Sequence, residues 1–79
     1  MKIKDVPFED LRIGDKVVSL IGNRGVIAGL YPIGSVTPLG GEVKWNSDWG
    51  PEILFLWQSG GCTWSLAGHN FLEVEYIGR

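Results

Sequence analysis

The sequence predicts an all-β fold, a small barrel of five to six antiparallel strands carrying one long loop at 32–41. Three observations lead there. Apolar and β-branched residues come in short runs, as they do in strands rather than in long helices. Gly-rich breaks part those runs, with 12 glycines among 79 residues. No stretch repeats its apolar positions at helical spacing for more than a single turn. A two-layer sandwich needs more strands than this chain provides, whereas a barrel also protects the sheet edges that otherwise invite aggregation.

The elements follow in order. Pro7-Phe8-Glu9-Asp10-Leu11 suits one helical turn, with Pro7 early and Gly14 ending it. A first strand is expected over 15–20 and a second over 25–31. Between them Gly22 and Gly25 bracket Asn23-Arg24, and both are expected to supply the positive φ angles of a tight reversal. Two prolines and several glycines keep 32–41 out of regular strand. The 42–46 segment alternates, placing Val43 and Trp45 on one face. Ser47-Asp48-Trp49-Gly50-Pro51 is turn chemistry around a tryptophan. The 52–58 strand then leads through Ser59-Gly60-Gly61 into a strand at 62–66, Ala67-Gly68-His69-Asn70 turns again, and 71–77 closes the sheet. Val43, Trp45, Ile27, Val74 and one face of 52–58 are expected in the core.

Length and composition bound the rest. Seventy-nine residues make a single domain, 1–79, near the lower limit for independent folding. The composition, 44% hydrophobic and 20% charged, is that of a globular chain. The longest apolar run, 53–57, falls far short of the roughly 20 residues of a membrane span. Acidic residues and Pro7 stand where an export signal would need its apolar centre, and Cys62 is a lone thiol, so a reducing cytoplasm is expected. Net charge is −2, and the seven basic residues are scattered rather than gathered into the stripe a nucleic-acid module uses to neutralise phosphates.

The opening Gly14-Asp15-x-Val17, followed by Gly22, Gly25-x-Ile27 and Gly29, resembles the start of SH3-like barrels of the KOW and Tudor kind. The segment Val43-Lys44-Trp45-Asn46-Ser47-Asp48, with Trp57 following, is similar to a strand and turn of mind-bomb-type barrels, although Asn46 stands where those have Asp. The 32–41 loop has no counterpart in the short KOW motif. The resemblance implies an SH3-like barrel and, by analogy, a binding role. In size and style the chain resembles small accessory proteins of bacteria and their phages.

Catalytic chemistry finds no constellation, and no cofactor motif is present. Cys62 and His69, one of each in the chain, lie seven residues apart across a turn, so contact of the kind a nucleophile pair needs is not expected. One Cys and one His leave a zinc site two ligands short. Glu73 and Glu75, at period two, read as a solvated strand face or a blunted edge. Gly40-Gly41 and Gly60-Gly61 lack the Lys-Ser/Thr sequel of a phosphate loop and read as turns.

What remains is a non-catalytic module that binds protein through an aromatic and apolar surface. Trp49 beside Asp48 is either a recognition residue for a peptide, a methylated amine or a base, or a lid folded over the barrel's open end. In 52–58 both faces are apolar: Ile53, Phe55 and Trp57 on one, Leu54 and Leu56 on the other. Only one can face the interior. The second is expected to be covered by the 32–41 loop or by Phe8 and Leu11, and otherwise by a partner or by a second copy in a homodimer through 52–58. Trp49, Asp48, Tyr31, Leu54 and Leu56 are the candidate contact residues. The alternative is a KOW-like nucleic-acid surface through Arg24 and Lys44. As a core residue, Trp45 replaced by Ala should lower unfolding free energy by about 3–5 kcal/mol in urea titration. A loss well under about 1 kcal/mol would place the ring on the surface instead.

Overall fold

The computed structural model describes residues 1–38, 40–43, 51–64 and 73–79. Five strands, β1 (Lys16–Val18), β2 (Arg24–Tyr31), β3 (Glu52–Trp57), β4 (Cys62–Trp64) and β5 (Glu75–Gly78), form one antiparallel sheet in the order β4-β3-β2-β1-β5. The fold is all-β, with an up-and-down meander from β1 to β4 and the last strand returning beside the first. β4 and β5 lie at opposite ends of that order, so the described strands do not close into a ring. No helix among the described residues is long and apolar enough to cross a membrane.

The first hairpin turns where glycine permits it. Gly22 adopts φ +89° between Ser19 and Asn23, whose backbones bond at 2.8 Å. Gly25 does not join it in positive φ; it lies within β2, opposite Val17, on the inward face. β1 is shorter than the 15–20 expected, because the Ser19–Asn23 bond already closes the turn after Val18. A bulge at Ala28 interrupts the β2–β3 ladder: Ile27 pairs with Phe55, and Gly29 with Leu54. This extra residue keeps Ile27 and Leu30 pointing inward and swings Gly29 and Tyr31 outward.

The inward face carries the core. Val17, Ile27, Ile53 and Phe55 meet Val74 and three side chains of the N-terminal segment, Ile3, Val6 and Leu11. That segment makes two 3₁₀ turns, Ile3–Asp5 and Phe8–Asp10, the second starting after Pro7 as its fixed φ favours. Its first residues run along the outer edge of β5, with Ile3 N–H donating to Val74 O at 2.8 Å and Tyr76 N–H to Met1 O at 2.7 Å. Glu73 and Glu75 hold it there through Lys2, Lys4 and the Met1 ammonium. The period-two carboxylates therefore do blunt an edge, by fastening another segment over it.

The 32–41 loop folds on itself. Gly34 N–H bonds to Val43 O and Val43 N–H to Ser35 O, each at 2.8 Å, and this delivers Val43 to a buried position. Trp45, with the rest of 44–50, lies outside the described residues, as do Leu39 and 65–72.

A carboxylate sits inside the fold. Asp15 is 1% exposed; its Oδ2 accepts from Arg12 N–H at 2.9 Å and from the Tyr76 hydroxyl at 2.6 Å. The hydrogen bond to Asp15, reinforced by burial and the nearby carboxylate charge, holds the Tyr76 phenol protonated above its ordinary range. A pKa raised by folding contributes stability in full below the unfolded value, about 10, and loses it as pH rises through the folded value. Urea midpoints of the native chain should therefore fall above about pH 10, and Tyr76→Phe should flatten that decline. An identical decline in Tyr76→Phe would reject the Asp15–Tyr76 link.

Candidate functional site

Alternation in β3 sends Ile53 and Phe55 into the core and Leu54 and Leu56 out of it. Trp57 follows the inward parity, its ring 5.6 Å from that of Phe55 and its Nε1 donating to Thr63 Oγ1 at 3.1 Å. The outward set is not covered as expected. Leu54 is half-buried, but Leu56 remains 49% exposed. The reason lies in where the proposed covers go. Leu11 enters the inward core and Phe8 packs against it, while Ile33 and Val36 of the 32–41 loop stay exposed. Intramolecular cover of Leu56 by either segment is thus corrected.

Leu56 instead lines an open groove of about 480 Å³ on the outward face. In register across the sheet, Leu56 pairs with Val26, Val26 with Lys16, and Arg24 with Val18. Directly paired residues share a face, so Val18, Val26 and Leu56 form an aliphatic floor, extended by Ile77 from β5. Lys16, Arg24 and Gln58 supply its polar border. Ile77 is 57% exposed, which leaves aliphatic surface open on β5 as well as on β3.

Of the candidate contact residues, Tyr31, Leu54 and Leu56 come together on this outward face. Leu54 pairs with Gly29, over which the Tyr31 ring lies, and so occupies the same side one step along the strand from Leu56. Trp49, Asp48 and Lys44 lie outside the described residues. Arg24 borders the groove rather than forming a separate basic site. Lys16, Val18, Val26 and Ile77 were not singled out from the sequence. The signal for them was available in Val17-Val18, which, like 53–57, offers apolar side chains to both faces of a strand.

Cys62 is exposed and sits opposite Leu56 on the outward row; His69 lies outside the described residues. Among the described residues, no three His, Cys, Asp or Glu side chains gather closely enough to hold a metal ion.

Two glycines let rings settle on each face. A Cβ at Gly25 would sit 2.5 Å from Trp57 Cε3 and 2.6 Å from the Leu56 carbonyl oxygen, whereas at Gly29 its nearest neighbours would be atoms of the Tyr31 side chain, from 2.6 Å. The first obstacle includes backbone, and the second is the outer end of a side chain. Comparison with family models, curated proteins and solved structures finds no match to this chain. Gly25→Ala should destabilise by about 1–3 kcal/mol, and Gly29→Ala by less than about 1 kcal/mol, in urea titration. Equal effects would show that neither ring is seated as described.

Proposed function

We propose that this chain is a non-catalytic binding module of the SH3-like barrel class, and that it takes a protein partner on the outward face of its sheet. The strand order favours that class, because a meander whose last strand returns beside its first is what a small barrel requires. The observation that carries the functional reading is the half-exposed Leu56 within a continuous aliphatic groove. Full burial of a leucine is worth about 1.5–3 kcal/mol, so an uncovered leucine set among aliphatic neighbours is a contact waiting for a second surface.

Nucleic-acid binding is the second reading, and it rests on Arg24. Among the described cations, Lys2, Lys4 and Arg79 pair with carboxylates, and Arg12 donates to the carbonyls of Glu9 and Leu11. Lys16 and Arg24 are left facing the groove. Two cations over an aliphatic floor are a weak phosphate track.

Affinity capture from a cytoplasmic extract compares the native chain with Leu56→Glu and Trp49→Ala. A protein retained by the native chain and lost with Leu56→Glu is expected, because the variant puts a charge into the apolar contact. Equal retention by both would overturn the outward face as the site. Parallel loss with Trp49→Ala would add that residue to the surface. Titration of labelled single- and double-stranded DNA and RNA at low and moderate salt should show no salt-sensitive binding; tight, salt-sensitive binding would replace the protein reading with the nucleic-acid one.

A further inference from the structure

Resting on that reading, we infer that the groove selects a short acidic segment: an aliphatic or aromatic side chain seated on Val26 and Leu56, with carboxylates beside it meeting Lys16 and Arg24. Charge is the argument. The chain carries a net −2, yet the charged side chains lining the groove are both cations. Neither makes an ion pair among the described residues, unlike Lys2, Lys4 and Arg79. The described carboxylate closest in register on that face is Glu75, paired with Val18 across β1 and β5, and it is already held by the Met1 ammonium and Lys2. Those contacts, led by the hydrogen bond from the ammonium, keep the Glu75 carboxyl below its usual range and leave it committed to the N-terminal segment.

Register adds a spacing. Lys16 opposes Val26 and Arg24 opposes Val18, so the two cations occupy one diagonal of a four-residue square and the two valines the other. Diagonal neighbours in a sheet lie about 7–8 Å apart. Side chains two residues apart in an extended segment are separated by about 7 Å. An extended segment with acidic residues at that interval therefore meets both cations, and an apolar residue on the same face of the segment, an even number of positions away, sits on the floor.

A second copy of the chain fits less well. A two-fold pairing of this face would bring the Lys16 and Arg24 pair of one copy onto the same positively charged face of the other, and like charges brought together across an interface oppose association.

The test is selection of a displayed library of random twelve-residue peptides on the full chain, with Leu56→Glu and the double variant Lys16→Glu/Arg24→Glu in parallel. All three are outward positions, and matching thermal melts and circular dichroism establish that each variant is folded. Selected peptides should carry Asp or Glu two residues apart, with an aliphatic or aromatic residue on the same face of the extended segment. Synthetic copies should bind the native chain and weaken at least about tenfold with Leu56→Glu. With the charge-reversed double variant they should weaken about three- to tenfold at low salt and no longer weaken further as salt rises. Peptides that need Leu56 but show no acidic preference would overturn this inference and leave the binding-module reading standing. Selection yielding nothing, while affinity capture still depends on Leu56, would overturn the linear-segment inference alone. Failure of both assays would remove the binding module with it. A native chain that sediments as a dimer, and becomes monomeric with Leu56→Glu, would assign the face to a second copy and likewise overturn it.

Discussion

The carboxylate of Asp15 binds the start of the sheet to its end. A buried charge without partners costs far more than a small domain can tolerate. Asp15 meets this with the Arg12 N–H and the Tyr76 hydroxyl on one oxygen, while the Arg79 side chain stands 4.0 Å from the other. Its own backbone is equally committed, since Asp15 O accepts from Ile27 N–H and Asp15 N–H donates to Arg12 O. Gly14, at φ +95°, makes the bend that lets one residue serve the 12–15 turn, β2 and β5 at once. β5 is separated from β1 by most of the chain, and contacts so distant in sequence carry a large closure entropy. The strong, short Tyr76–Asp15 bond at their junction helps to offset it.

Around that junction the core is small, and the N-terminal segment completes it. Ile3, Val6 and Leu11 occupy space that the five strands leave open, and the carboxylates of Glu73 and Glu75 hold the segment in place. Exposed ion pairs of this kind contribute little each. The burial of three aliphatic side chains stabilises the arrangement far more. Committing Phe8 and Leu11 to the inward side has a consequence for the other face: they are not available to cover Leu56. The open groove therefore follows from how the core is filled.

The groove joins a hydrophobic floor to two cations that have no carboxylate partner among the described residues, on a chain whose overall charge is negative. On the proposed reading, a floor of that kind would supply affinity through desolvation, and the cations would supply orientation and choice of partner. We propose recognition of a short segment over phosphate binding, which needs many cations, and over self-association, which would oppose like charges.

The sequence by itself determined the all-β class and most of the strand positions. Period-two alternation and glycine-marked turns are local signals, and they placed β2, β3 and the Ser59-Gly60-Gly61 reversal within a residue or two. They also identified Ile27, Val43, Val74 and the inward side of β3 as core, and the two apolar faces of 53–57 as the feature to explain. Leu54 and Leu56 were legible as one face for the same reason, whereas Tyr31 joins them only through the bulge at Ala28. What only the tertiary structure decided was which segment lies over which face. The role of Asp15 depends on Tyr76, sixty-one positions away. Gly25 reads as a turn residue until Trp57 is seen lying against it. The groove needs Lys16, Arg24, Leu56 and Ile77 from four different strands. Such contacts are set by strand register and by competition among apolar segments for one small interior, and neither is written in the local pattern of any single strand.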